Sequence, residues 1–357
     1  MKTTRALAEL GQSLWLDNIT RPLLDSGTLS RYIDELDVTG LTSNPTIYDR
    51  AIGGTDAYDA EIADAAHAGK SGEDTFFEVA LSDLRRAADL FRPVHDRTGG
   101  VDGFVSLEVS PLLAYDAAAT VAQAKRLHAQ GDRPNLFIKI PGTPEGLPAV
   151  EEAIAAGVPV NVTLLFSPAQ YLACAEAYTR GIERRVEAGL PAYVASVASL
   201  FISRWDPATA KQLPDDMQNE LGLAVGRQSY TEYVAFFASE RWQRLLAAGA
   251  RPQRLLFAST GTKVATASPT LYVTGLAAPD TVNTIPEETL LAAGAEELAS
   301  VEPIPAAPDE ADATLARFAA AGIDVDDLGR ELQRKGAAAF VTSWMSLLAR
   351  VDEKSGA

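Results

Sequence analysis

The sequence predicts an α/β chain folded as a (β/α)8 TIM barrel, with an N-terminal helix and additional helices. Three observations carry this reading. Eight short apolar runs alternate with helical stretches along the 357 residues, and several of those runs close on a polar residue. No glycine fingerprint of the dinucleotide kind follows the first run, which argues against a doubly wound sheet. One barrel over residues 1–357 is the expected organisation, and a hydrophobic content of 47% gives it enough core.

Taken in order, Thr4 to Gln12 read as a short helix, and Ser13-Leu14-Trp15-Leu16-Asp17 as a strand stopping on a carboxylate. Asp37-Val38-Thr39-Gly40-Leu41-Thr42 leads into Ser43-Asn44-Pro45, and Gly103-Phe104-Val105-Ser106-Leu107 leads into Glu108. Between these two strands lies a polar and helical excursion, Thr46 to Gly100, with helical apolar spacing from Phe76 to Phe91; it is expected to be an insertion and not a second core. A helix from Ala117 to Gln130 precedes the fourth strand, Asn135-Leu136-Phe137-Ile138-Lys139-Ile140-Pro141. Leu147 to Ala156 form the next helix, stopped by Gly157. In the run Val158 to Phe166, Asn161 and Thr163 stand two apart and so share one side of a strand, the inside of a barrel. A helix from Pro168 to Ala188, a strand from Tyr193 to Phe201 and then Ser203-Arg204 follow. A longer helical region, Ala208 to Ala248, leads to the strand Arg254 to Thr260; Asp280 to Pro286 is the last, before Ala- and Leu-rich helices.

The formal net charge of −17 repels polyphosphate backbones and anionic membrane surfaces, so neither nucleic acid nor membrane is an expected partner. A small anion can still bind where cations gather. The single cysteine, Cys174, excludes a disulfide framework, fits a reducing compartment and reads as core. With no signal-peptide core and no membrane-spanning run, the expected location is cytoplasmic. His67, His95 and His128 all fall in polar helical or loop stretches, so the strand ends lack zinc ligands and no metal is expected.

Lys139 is the anomaly of the fourth strand. An ammonium among Phe137, Ile138 and Ile140 must pair with a carboxylate or lose its proton, and a neutral amine is a nucleophile for carbonyls. The alternative is a lysine whose head snorkels past the strand end to water. A barrel would gather Asp17, Glu108, Asn44, Asn161 and several hydroxyls at the same mouth, which is the equipment for Schiff-base aldol chemistry on a polyol. Arg204 and Lys263 follow the sixth and seventh strands and are candidates for holding an anion, although either alone also reads as ordinary surface charge.

Two segments carry a family resemblance. Gly40-Leu41-Thr42-Ser43-Asn44-Pro45-Thr46-Ile47 looks like the first transaldolase signature, and Leu136 to Leu147 resembles the second, which contains the Schiff-base lysine. The resemblance continues through Asn161 to Ser167, Ser196 to Ser199 and Thr281 to Pro286, the last similar to a longer, actinobacterial-like branch. It implies a class I enzyme of the pentose phosphate pathway that needs neither metal nor cofactor. The implied reaction moves a dihydroxyacetone unit from sedoheptulose 7-phosphate to glyceraldehyde 3-phosphate, giving erythrose 4-phosphate and fructose 6-phosphate. By motif, Lys139 is the Schiff-base lysine, Asp17 the acid/base of the aldol step, and Glu108 with Thr163 holds the proton-shuttling water. Asn44, Asn161 and Ser199 match positions that bind dihydroxyacetone hydroxyls, and Arg204 and Ser259 match phosphate-binding positions. Where many relatives have a serine, an aromatic residue and an arginine, this chain reads Ser259-Thr260-Gly261-Thr262-Lys263, so Lys263 is the candidate second phosphate cation. Relatives suggest a monomer or a homodimer.

Three other readings compete. A fructose 6-phosphate aldolase-like lyase shares the lysine, but the carboxylate pair and the excursion after Thr46 favour the transferase. A barrel holding pyridoxal phosphate on Lys139 lacks the glycine-rich phosphate cup. A catalytically idle barrel kept for partner binding predicts loss of Asp17, Glu108 or Lys139, and all three are present.

Overall fold

The computed structural model describes all residues except 265, 266, 299, 307, 308 and 357. Eight parallel strands close into a barrel in sequence order: β1 (Ser13–Leu16), β2 (Val38–Leu41), β3 (Val105–Glu108), β4 (Leu136–Pro141), β5 (Val160–Leu165), β6 (Ser196–Phe201), β7 (Arg254–Ala258) and β8 (Val282–Ile285). Closure comes from β1, which pairs with β2 on one side and β8 on the other. The expected (β/α)8 architecture is the observed one, with the N-terminal helix at Thr3–Leu10.

Period-two alternation along each strand sorts the side chains. Leu14, Leu16, Ile138, Ile140 and Val162 point outward and merge with the surrounding helices into the main core. Inward-facing Trp15, Phe104, Phe137, Val197, Leu256 and Val282 form a separate apolar plug across the barrel floor. Phe104 stacks on Phe137 with centroids 4.1 Å apart. One layer higher, β4, β5 and β6 present Lys139, Asn161 and Ser199, so the interior turns from apolar to polar toward the strand C-termini. Gly40 lets this plug close: a Cβ there would lie 2.7 Å from both the Phe104 carbonyl oxygen and Trp15 Nε1.

The Thr46–Gly100 excursion departs from expectation. It holds helices Pro45–Gly53, Asp59–His67 and Gly72–Arg97, and the last buries Phe76, Phe77, Val79, Leu84 and Phe91 in the main core. That helix is therefore the crossover joining parallel β2 to β3, with the two shorter helices added before it. The expected helix over Ala208 to Ala248 is also divided, into Trp205–Thr209, a 3-10 turn at Asp215–Met217, Leu221–Ala238 and Glu240–Ala247. Beyond β8 run helices Glu287–Ala295, Asp309–Ala320 and the long Val325–Ser355. Among the described residues, no helix is long and apolar enough to cross a membrane.

Candidate active site

At the C-terminal ends of the strands the barrel opens into a cavity of about 310 Å³. Its lining includes Asp17, Asn44, Lys139, Thr163, Ser199, Arg204, Ser259 and Lys263, which is eight of the ten residues singled out from the sequence. Glu108 and Asn161 are buried behind this lining.

Strand register sets the centre of the site. Glu108 pairs with Lys139 across β3 and β4, and Lys139 pairs with Asn161 across β4 and β5. Because all three side chains point inward at one level, Lys139 Nζ comes within 3.4 Å of Glu108 Oε2. It also donates to the Ser43 carbonyl oxygen at 2.9 Å. Lys139 and Glu108 are each only 5% exposed, so the lysine does not snorkel to bulk water; it pairs with a carboxylate in the interior. Apart from the ion pair with Lys139, neither Glu108 oxygen, nor the buried Thr163 Oγ1, has a polar partner among the described groups. Those atoms are free to hold a water or a substrate hydroxyl beside the amine.

Asp17 enters from the end of β1, and Thr42 Oγ1 donates to its Oδ1 at 2.8 Å. Burial raises its pKa above the ordinary carboxylate value, opposed by the charge of Lys139, the Thr42 hydrogen bond and the charge of Lys263. Glu108 is raised for the same first reason, with Lys139 opposing and Asp17 adding to the rise. Two carboxylates with pKa values moved up beside an amine form an acid/base set.

Polar orientation comes from side chains held on the barrel wall. Ser199 Oγ donates to Asn161 Oδ1 at 2.7 Å, and Asn161 Nδ2 donates to Ser106 Oγ at 3.2 Å. Asn161 thus fixes the Ser199 hydroxyl from below. Asn44 has two jobs: its Oδ1 caps the Pro45–Gly53 helix by accepting from the Ile47 amide at 3.0 Å, which leaves its Nδ2 to face the cavity. Ser259 sits at φ 55°, a left-handed backbone that a serine adopts only under constraint, and its hydroxyl lies 2.9 Å from Ser203 Oγ.

The rim is cationic. Arg204 and Lys263 are exposed on it, and a third cation, Arg50, joins them from the helix that Asn44 caps. None of the three has a carboxylate within ion-pair distance among the described residues. Partial burial lowers the Lys263 pKa, with Arg204 and Arg50 pushing the same way and Asp17 and Glu288 opposing. Sequence reasoning missed Arg50, although Asn44, Ile47 and Arg50 are spaced three apart and fall on one helix face. It also missed Thr42, Phe201 and Phe340.

A larger cavity of about 540 Å³ opens at the opposite end of the barrel. Two of its charged groups are hydrogen-bonded to the barrel: Asp102 accepts from Trp15 Nε1 at 2.7 Å and from the Gly103 amide at 3.1 Å, while Arg254 donates to Ser13 and to the Thr281 carbonyl. The aromatic plug separates it from Lys139, and no lysine, cysteine or histidine lines it. Among the described residues, no three His, Cys, Asp or Glu side chains gather as a metal-holding group.

The family model described as Transaldolase/Fructose-6-phosphate aldolase matches residues 14–351. The chain belongs to this family. Among transaldolase relatives, it is 44% identical to that of Acidothermus cellulolyticus over 358 residues, covering 98% of this chain and 96% of the relative. It is 43% identical to that of Thermobifida fusca, covering 98% of each chain, and 42% identical to that of Thiobacillus denitrificans, covering 98% and 100%. The transaldolase-family match thus takes in all of the barrel strands but Ser13, and every residue lining the mouth.

Proposed function

We propose that this protein is a transaldolase of the pentose phosphate pathway, transferring a dihydroxyacetone unit between sugar phosphates through a Schiff base on Lys139. Family membership supports the enzyme class. The observation that carries the mechanism is the register of Glu108 with Lys139 beneath a cavity that Asp17 also lines.

Lys139 attacks the C2 ketone of sedoheptulose 7-phosphate, and the carbinolamine loses water to give an iminium. Glu108, with a water held by Thr163, moves the protons of this step. Asp17 takes the proton of the C4 hydroxyl, the C3–C4 bond breaks, and its electron pair flows into the iminium. Erythrose 4-phosphate leaves. The enamine on Lys139 then attacks the aldehyde carbon of glyceraldehyde 3-phosphate, Asp17 returns its proton to the new hydroxyl, and hydrolysis frees fructose 6-phosphate. The iminium is the electron sink, so the chemistry calls for no cofactor. Asn44, Ser199 and, through Ser199, Asn161 orient the dihydroxyacetone hydroxyls. Arg204, Ser259, Lys263 and Arg50 receive the phosphate, a local attraction that offsets the repulsion of a chain with net charge −17. A cytoplasmic location fits these substrates, and the family resemblance suggests a monomer or a homodimer.

The test is a coupled assay with fructose 6-phosphate, run with and without erythrose 4-phosphate. Turnover that requires the acceptor identifies a transaldolase. Equal release of glyceraldehyde 3-phosphate in both would identify the fructose 6-phosphate aldolase reading instead.

A further inference from the structure

The C-terminal helix Val325–Ser355 lies outside the β/α alternation, yet it is built into the catalytic mouth. Gln333 is 6% exposed and donates from Nε2 to the carbonyl oxygens of Gly142 and Leu164, each at 2.9 Å. Gly142 follows β4, the strand of Lys139, and Leu164 follows Thr163 within β5. Leu164 has φ 62°, a strained backbone for a leucine, and it falls where the β5–β6 register shifts. Gln333 therefore holds a carbonyl that this break in the ladder leaves over. Farther along, Thr46 Oγ1 donates to Ser343 Oγ at 2.8 Å, and Arg350 Nε lies 2.7 Å from Asp49 Oδ1. Between these fixed points Phe340, seven residues or about two turns past Gln333, comes onto the same face and lines the cavity with Lys139. Its ring centroid lies 6.4 Å from that of Phe201, which in turn lies 5.2 Å from Phe166.

We propose that Phe340 is a specificity-determining residue: with Phe201 it forms an apolar wall that keeps water from the three-carbon unit on Lys139, so that the unit is transferred and not hydrolysed. This rests on the Schiff-base reading. After C3–C4 cleavage the enamine has two fates. Its C3 attacks the acceptor aldehyde carbon and forms a C–C bond. Alternatively, C3 takes a proton and restores the iminium; water adds to C2, and the carbinolamine expels the Lys139 amine, freeing dihydroxyacetone. Both routes use the same lysine and carboxylates, and they differ in the solvent admitted to the exposed carbon. A ring pair held in place by a clamped helix raises the cost of water entry on one side only, leaving the water assigned to Glu108 and Thr163 in place.

The experiment compares the full chain with Phe340→Ala and Phe340→Leu. For each, dihydroxyacetone released from fructose 6-phosphate alone is measured against transfer to erythrose 4-phosphate, and borohydride labelling of Lys139 is followed in parallel. Phe340→Ala is expected to raise the ratio of release to transfer by about tenfold, equivalent to about 1.4 kcal/mol of lost discrimination. Phe340→Leu keeps the apolar bulk and should stay near the original ratio. If Phe340→Ala does not accumulate as folded protein, Phe340→Val carries the same expectation with a smaller shift. A ratio that does not move, or that moves equally in the alanine and leucine variants, overturns the proposal while leaving the Schiff base intact. Absence of label on Lys139 in the unaltered chain overturns both.

Discussion

Glu108 and Lys139 occupy paired positions on adjacent parallel strands, with Glu108 Oε2 3.4 Å from Lys139 Nζ in a part of the barrel closed to bulk water. The pairing meets two needs at once. A buried ammonium requires a counter-charge, and a nucleophilic amine requires a nearby base to take its proton. Borohydride reduction in the presence of fructose 6-phosphate should therefore attach the sugar to Lys139, read by peptide mapping. Lys139→Ala should abolish the label, and a label retained on another lysine would refute the assignment.

On the proposed mechanism Asp17 acts one step later, on the hydroxyl of the bond being broken. Asp17→Ala should lower turnover by about 10²–10⁴-fold, the usual cost of removing a general base, while borohydride labelling of Lys139 persists. Parallel loss of labelling and turnover would show that Asp17 shapes the lysine instead of the cleavage step.

Burial gives these carboxylates a pH signature. Asp17 must be ionised to accept a proton, and its pKa is raised above the ordinary 3.8, so the acid limb of kcat/KM should fall at a higher pH than a surface carboxylate would give. Stability follows the same shift with its own sign. A folded-state pKa above the unfolded value contributes stability below the unfolded pKa and loses it as pH rises through the folded one. Asp17→Asn, which cannot ionise, should melt higher than the unaltered chain at neutral pH, with the difference closing in acid. A thermal melt series across pH checks this.

Much of this was legible in the sequence because it is local. Eight apolar runs, several of them closing on a polar residue, mark the strands, and one lysine within such a run marks the candidate site. What was not legible depends on pairing at a distance. The helix Gly72–Arg97 looks like part of an insertion until β2 and β3 are seen to be parallel neighbours that need a crossover. Phe340 meets Phe201 across 139 positions of chain, and nothing near either residue announces the other. Asn44 stands out in the sequence for one role, whereas its helix-capping contact shows how a single amide can fix a helix and still line the cavity.

The last prediction concerns the cationic rim. The sequence offered Arg204 and Lys263 for phosphate, and the structure adds Arg50 to the same cavity. A dianion approaching a chain of net charge −17 needs this local reversal of sign, and three cations from three separate elements can surround it in a way that one cannot. Lysine offers a point charge where arginine offers a fork, so the two side chains should not be interchangeable. Arg50→Ala and Lys263→Ala should each raise KM for fructose 6-phosphate by about five- to thirtyfold, since charge-assisted hydrogen bonds are worth roughly 1–2 kcal/mol when partly exposed. The rate of imine formation with unphosphorylated dihydroxyacetone should be nearly unchanged in both. Raising the salt concentration should increase KM in the unaltered chain and have less effect in the double variant, because screening acts on the charges the variant lacks. Equal losses on phosphorylated and unphosphorylated substrates would mean that these side chains support the mouth instead of reading the phosphate, leaving Arg204 and Ser259 to hold it.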